Sequence, residues 1–346
     1  MEEIFTAIGT PNIALIKYWG KRDQKLILPA NSSISITLSE NLNTKTSVIF
    51  SKKIREDRFY INGESQDLND KEIQERFDVI NSLRQMAGTK DRIVVASKNS
   101  FPTASGLASS ASGIATLIYA ASNALDLKLN QKQMSIFARQ GSGSACRSLF
   151  GGFVKWNMGE KKDGSDSYAE QIVSERHWPE ITDIVAVVSS SKKKVSSRAG
   201  MQQTMKTSEL YPARISALNR RIDEITDAIK SKDFETMAKI TMQDSNTMHA
   251  TMLDTWPPIF YMNDVSREIV YKIHELNDSE GKIIAGYTFD AGPNPHIITT
   301  SQNRKRIMRE LKTIKGIEEF IETQQGSGPR MLENEDAIIN EKMQPM

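Results

Sequence analysis

Apolar and polar positions change rhythm several times along the chain, and each change predicts an element. Residues 4–9 alternate weakly and predict a strand, which Gly9-Thr10-Pro11-Asn12 breaks. An apolar strand-like run then opens at Ile13 and ends on Lys17, Tyr18 and Lys21 ahead of a charged loop. From Leu28 to Leu38, Ser and Thr alternate with Ile and Leu, the pattern of a half-buried strand. Thr44 to Phe50 and Arg58 to Ile61 continue the β region, and Asn62-Gly63 closes it with a hairpin signal. Asp70 to Met86 has helical spacing and stops at Ala87-Gly88, a C-cap, after which Arg92 to Ser97 is a strand. Further on the pattern predicts a helix over 131–139, a strand over 151–156 and a buried strand over 184–190. Long helical patterns follow over 208–230, with Pro212 in the first turn, and over 233–241. A strand from Lys282 ends in a Gly-Pro turn at 286–294; a helix over 303–313, a strand over 317–322 and a polar tail complete the chain.

The shift from strand-rich to helix-rich patterning places a domain boundary near residue 185, and 346 residues suffice for two domains, 1–185 and 186–346. Charged residues make up 25% of the chain but nearly cancel at +2, so no strong field gathers nucleic acid. The single Cys146 cannot form an internal disulfide, which points to a reducing compartment; without a His partner in the sequence it reads as a buried structural thiol. His177, His249, His274 and His296 are scattered and give no zinc spacing. The first residues lack a basic stretch followed by an apolar core, and no apolar run approaches about 18 residues, so the expectation is a soluble, cytoplasmic protein without membrane contact.

Several stretches carry candidate chemistry. Lys98 to Leu117 runs a Pro-Thr-Ala-Ser-Gly loop into a helix start. Gly106 lets backbone approach a ligand, the first helical N–H groups have no intrahelical partner, and Ser109 and Ser110 add hydroxyls for a phosphate or Mg²⁺. The same composition also suits a capped, tightly packed core helix. Lys17, Tyr18 and Lys21 suit a polyanion at the mouth of a site, or a surface strand end with snorkelling lysines. Gln140 to Ser148 surrounds Arg147 with Ser142, Ser144 and two glycines; it is an anion-facing turn, or a connector whose arginine pairs with a surface acid. Val195 to Met201 is a loop bearing two hydroxyls and Arg198. Asp244 to His249 with Asp254 to Pro258 lines a pocket or forms a joint between helices. Asp290, at a strand end between Phe289 and Ala291-Gly292, is placed for acid/base work or for capping its turn.

Taken together, NIALIKYWGKRD, LPANSSISITL, FPTASGLASSASG, GSGSACRSLFGGFVKW, TSEL, DSNTMHATMLDTWPPIFY, YTFDAGPN and GSGP resemble the diphosphomevalonate decarboxylase family of the GHMP kinase superfamily, from about residue 8 to residue 329. The resemblance implies an α+β fold with an N-terminal ribosomal-protein-S5-like ATP-binding domain, a C-terminal ferredoxin-like domain, the active site in the cleft between them, and a homodimer. It implies ATP-dependent conversion of (R)-5-diphosphomevalonate to isopentenyl diphosphate, ADP, phosphate and CO₂ in the mevalonate pathway of isoprenoid biosynthesis. Carried over position by position, it implies Asp290, Arg147 and Lys17 as catalytic residues. Tyr18, Lys21, Ser142, Ser144, Arg147, Ser197 and Arg198 would bind substrate, and Ser105, Gly106, Leu107, Ala108, Ser109 and Ser110 would bind ATP, with Ser110 on Mg²⁺.

The chain departs from the family pattern at Ser100, Ser105, Ser112, Gln243, Met248 and Pro295-His296, positions expected to touch pocket walls. Related branches act on mevalonate 3,5-bisphosphate without ATP, or only phosphorylate mevalonate at its 3-hydroxyl. Lys17, Arg147 and Asp290 together favour decarboxylation, and the glycine-serine loop favours ATP use. A nucleic-acid module is the contrasting class, which the balanced charge disfavours.

Overall fold

The computed structural model describes residues 3–101, 109–189, 194–340 and 342–346, with nothing said of the Ser109 side chain. A six-stranded sheet runs in the order Arg330–Leu332, Phe5–Gly9, Thr44–Ser51, Arg92–Asn99, Arg58–Ile61 and Glu64–Ser65. Its pairs are antiparallel except Arg58–Ile61 with Arg92–Asn99. A second, antiparallel sheet orders Ala169–Val173, Phe153–Trp156, Ser33–Thr37 and Asn12–Ile16. Helix Ser109–Ala124 is gripped by both sheets. Leu117 and Ala120 pack with Ala7, Val48 and Val95 of the first, while Ile114 and Ile118 pack with Val154 and Trp156 of the second. Its Ala, Ser and Gly content is what lets backbone approach on two sides.

In the second half an antiparallel sheet orders Ala285–Phe289, Pro295–Thr300, Ile181–Val187 and Glu319–Gln324. Helices Tyr211–Ser231, Phe234–Leu253, Asp264–Glu280 and Ser301–Leu311 accompany it. One apolar cluster crosses between the halves: Ile13, Leu15, Ile34 and Ile36 pack with Leu218, Ile222, Ile225 and Met237. This shared core sets the second sheet's strand ends against the helices that carry the rest of the site.

Local signals that close on themselves were legible. Asp70 caps helix Lys71–Ala87 by accepting from the Glu72 and Ile73 amides, and Gly88 ends it at φ 67°. Asn62 and Gly63, at φ 50° and 84°, make the expected tight turn.

Other expectations are corrected. Ser33–Thr37 is buried on both faces, because its hydroxyl side turns toward other polar groups instead of water. Residues 195–201 are not a loop: Ser196 caps helix Ser197–Thr207, where a Cβ on Gly200 would sit 3.2 Å from the Trp19 ring. Helix Phe234–Leu253 runs straight through Asp244 to His249: the fully buried Asp244 and Ser245 accept from the Lys17 and Phe289 amides, and the exposed Asn246 donates to the Tyr287 hydroxyl at 3.0 Å. Helix Asp264–Glu280 and strands Ala169–Val173 and Pro295–Thr300 were not anticipated. The polar tail forms Arg330–Leu332 and pairs with Phe5–Gly9 of the opening half.

Asp57 ties helix Lys71–Ala87 to the start of strand Arg92–Asn99. Its carboxylate accepts from Arg84 at 3.1 Å and from the Ile93 amide at 2.9 Å. Burial opposes its charge, but the Arg84 and Ile93 hydrogen bonds and the charges of Arg84 and Arg92 win and hold the carboxyl below its ordinary range. Asp57→Asn is therefore expected to lower stability at pH 7 by about 2 kcal/mol in urea titration. A depressed carboxyl stabilises above the unfolded value near ~4, and its contribution is lost as pH falls through the folded value. The deficit of the variant should accordingly shrink below pH ~4, and an unchanged midpoint at pH 7 would remove Asp57 from the ties that hold this corner.

Candidate active site

The strand Asn12–Ile16 delivers Lys17 into the interior, where the side chain is only 2% exposed. Its ammonium donates to Asp290 Oδ1 at 2.7 Å, its amide donates to Asp244 Oδ2 at 2.7 Å, and its carbonyl accepts from Asn31 at 3.0 Å. A surface strand end with snorkelling lysines is thereby excluded. Burial lowers the Lys17 pKa from its ordinary value, with Asp290 and then Asp244 pulling it back and Arg147 adding to the depression. Asp290 follows strand Ala285–Phe289 and is 35% exposed, so one carboxylate oxygen accepts from Lys17 while the side chain stays only partly withdrawn from solvent.

Arg147 lies in the 3₁₀ helix Gly143–Leu149 and is 3% exposed. It donates from Nε to Asn12 Oδ1 at 3.1 Å and from Nη1 to Ser33 Oγ at 2.7 Å, and its guanidinium carbon stands 5.9 Å from the centre of the Trp156 ring. None of these neighbours is anionic, and among the described residues Arg147 has no ion pair. Pairing with a surface acid is therefore not its role. Burial lowers its pKa, with Cys146 and then Asp290 opposing the shift, so Arg147 lies within electrostatic reach of the Lys17–Asp290 pair. Cys146 next to it is fully buried, donates to the Gly143 carbonyl and is pushed up to about 12 by burial, an inert thiol as expected.

A second cluster of cations stands on the other side of Tyr18. The Tyr18 ring meets Trp156 edge-on at 4.7 Å, and its buried hydroxyl has no hydrogen-bond partner among the described residues. Burial pushes this phenol up. Lys21 is lowered by burial and by Arg198, with Glu75 opposing and Lys71 adding. Arg198, in the first turn of Ser197–Thr207, pairs with Glu75 and reaches the Gly141 carbonyl at 3.5 Å. Arg76 is lowered by burial and also feels Arg198 and Glu75. Ser142 and Ser144 are half-buried at the start of the Arg147 turn, and Ser197 is half-buried at its helix start. Lys21, Arg76 and Arg198 thus gather in a partly dehydrated corner around Glu75, with Glu72 and Asp70 also acting on Arg76.

Glu75 and Arg76 were not singled out; they sit on a helix that reads as ordinarily amphipathic, and no local pattern marks them. Asp244 opens a stretch read as a pocket lining or a joint between helices, but no role was assigned to it.

Among the proposed nucleotide contacts, Ser105, Gly106, Leu107 and Ala108 fall outside the described residues. Ser109 and Ser110 open helix Ser109–Ala124, whose first turn holds no acid, and Ser110 is exposed. The described residues contain no cluster of three or more His, Cys, Asp or Glu suited to a metal.

The described departures from the family pattern divide: most take local partners, while Met248 joins the apolar cluster that holds Trp19 and Ala291 and has Tyr18 packed against it, next to the site. Ser100 accepts from the Asn43 amide at 2.9 Å, Ser112 bonds Thr44 at 2.7 Å, and Gln243 is exposed. Met248 packs with Trp19, Met201 and Tyr261, and His296 bonds Asp183 at 2.6 Å within the sheet. Ser105 lies outside the described residues.

Residues 9–169 match the model of the diphosphomevalonate decarboxylase-like N-terminal domain, and residues 183–344 match that of the mevalonate 5-diphosphate decarboxylase C-terminal domain. The chain is 41% identical to a diphosphomevalonate decarboxylase of Debaryomyces hansenii over 99% of its own length and 98% of that protein. It is 46% identical to one of Rattus norvegicus over 85% and 76%. A crystal structure of mevalonate 5-diphosphate decarboxylase superposes at a TM-score of 0.89 with 39% identity, covering 99% of each chain. A structure of MDDEF in complex with MVAPP, AMPPCP and magnesium superposes at 0.87 with 36% identity, covering 96% of this chain and 100% of that one. With both halves matched in order and the α+β GHMP kinase fold shared along nearly the whole length, the chain belongs to the diphosphomevalonate decarboxylase family.

Proposed function

We propose that the chain catalyses the ATP-dependent decarboxylation of (R)-5-diphosphomevalonate to isopentenyl diphosphate, ADP, phosphate and CO₂. The observation that carries this reading is a buried guanidinium, Arg147, with no carboxylate partner among the described residues, within electrostatic reach of the Lys17–Asp290 pair. A substrate carboxylate supplies the missing anion.

The tertiary hydroxyl then lies against Asp290, whose half-buried carboxylate orients it and accepts its proton. Lys17 keeps that carboxylate in place. Bound ATP supplies the phosphoryl group that makes the hydroxyl a leaving group, and Mg²⁺ lowers the charge on its phosphates. As the C–O bond breaks, positive charge develops at the tertiary carbon, and the Asp290 side of the site is the favourable one for it. Arg147 holds the carboxylate in line while its C–C electron pair becomes the new double bond and CO₂ leaves. Tyr18, Lys21, Arg76, Ser142, Ser144, Ser197 and Arg198 anchor the diphosphate end; the free Tyr18 hydroxyl and the gathered cations fit that task.

The donor set fits magnesium nucleotide. Free N–H groups and Ser109 and Ser110 at the helix start suit phosphate, with the neighbouring residues 105–108 proposed to complete the contact. In the absence of an acidic cluster among the described residues, Mg²⁺ would take most ligands from phosphate and water and one from Ser110, a common arrangement for this ion.

As part of the same reading we propose a division near residue 185, with the last strand crossing back to the first sheet, and a cytoplasmic homodimer. Sedimentation at micromolar protein should then return twice the chain mass, whereas a single-chain mass would remove the dimer.

Purified protein should release ADP and CO₂ together from 5-diphosphomevalonate and ATP. ADP alone would make it a kinase, and CO₂ from mevalonate 3,5-bisphosphate without nucleotide would make it the ATP-independent decarboxylase. Asp290→Ala should lose turnover by roughly 10²- to 10⁴-fold while substrate still binds; near-normal turnover would take Asp290 out of the mechanism. Arg198→Ala should raise KM by roughly tenfold with little change in kcat, the signature of an anchor used equally in ground and transition states. An unchanged KM would refute the anchor.

A further inference from the structure

Lys17 and Asp290 are 273 positions apart in sequence, yet their charged atoms meet at 2.7 Å. Neither strand end fixes that separation by itself. Helix Phe234–Leu253 touches both. Asp244, fully buried, accepts from the Lys17 amide at 2.7 Å, and its neighbour Ser245, also fully buried, accepts from the Phe289 amide at 3.0 Å, one residue before Asp290. Consecutive residues of one rigid element therefore hold the two strand ends that carry the pair. The helix is itself braced at this turn, because Arg214 donates to Asp244 Oδ2 at 3.1 Å and to Thr247 at 2.6 Å, and Arg221 donates to Asp244 Oδ1 at 3.4 Å.

We propose that Asp244 and Ser245 are positioning residues that set the distance and direction of the Lys17–Asp290 pair. Their effect on the reaction passes through Lys17 and Asp290, and the proposal rests on the reading of that pair as the reacting centre. A shared helix turn is a stiffer gauge than two loops, since an amide displaced by one hydrogen bond moves the side chain it carries by a comparable distance. Asp244 also contributes charge. Lys17 faces Asp290 from the turn after Ala285–Phe289, Asp244 and His249 from the helix, and Arg147 from the 3₁₀ turn; Arg214 and Arg221 stand behind Asp244. Of the two anions near Lys17, Asp244 is the one that substrate does not touch.

The test compares Ser245→Ala, Ser245→Thr, Asp244→Asn and Asp290→Ala in the full chain, with kcat, KM for 5-diphosphomevalonate, melting temperature and the pH dependence of kcat measured for each. Ser245→Ala should keep KM within about twofold while kcat falls roughly ten- to a hundredfold, the scale of a misplacement remote from the chemistry, and Ser245→Thr should recover most of it. Asp244→Asn retains an acceptor for the Lys17 amide but loses an anion, so the alkaline limb of kcat should move to lower pH. If the unpaired arginines prevent this variant from folding, Ser245→Ala decides alone. Wild-type kcat in Ser245→Ala, or lowered melting temperature with kcat unchanged, alongside an inactive Asp290→Ala, overturns the positioning proposal alone. Full activity in Asp290→Ala overturns the reading of the centre, and the positioning proposal with it.

Discussion

An ammonium group 2% exposed to solvent constrains everything around it. Burying the Lys17 charge without compensation would cost several kcal/mol, so the fold has to bring anions to it. It does so from the opposite half of the chain, with Asp290 at the side chain and Asp244 at the amide. Arg214 and Arg221 then answer Asp244. The resulting chain of charges passes from a strand of the first half through two helices of the second. Such a buried network is a costly way to gain stability, because apolar residues of the same volume often serve as well. Its presence makes sense as a means of holding a carboxylate and a lysine in one arrangement.

Arg147 presents the complementary case. Its charge is buried without a carboxylate among the described residues, held by neutral Asn12 and Ser33 oxygens and the Trp156 face. A cation kept in this state is poised for an anion that arrives later, and the same is true of the Tyr18 hydroxyl. Where the fold completes its charge pairs it fixes geometry, and where it leaves them open it leaves room for substrate. The Arg198–Glu75 pair lies between these extremes: it is partly exposed, so solvent screens it and opening it costs little.

Burial on both faces of Ser33–Thr37 follows from the same division of labour. One side joins the apolar cluster shared with helices Tyr211–Ser231 and Phe234–Leu253, through Ile34 and Ile36. The other side gives hydroxyls to the site, Ser33 to Arg147 and Thr37 to the Phe150 carbonyl at 2.7 Å.

What the sequence determined by itself was whatever depends on neighbours along the chain. The capped helix Lys71–Ala87, the Asn62-Gly63 turn, the inert Cys146 and the ordered run of motifs that marks the family all rest on contacts or spacings within a few residues. The motifs also named Lys17, Arg147 and Asp290, although residue identity could not say that the lysine is buried or that the arginine lacks a carboxylate. Tertiary structure decided those points, together with the continuation of helix Phe234–Leu253 through Asp244-Ser245-Asn246 and the recruitment of Glu75 and Arg76 to the cation cluster. The physical reason is separation in sequence. Lys17 and Asp244 are 227 positions apart, and a polar residue reads as a joint between helices or a solvated face until the fold shows which buried amide or charge it has been brought to meet.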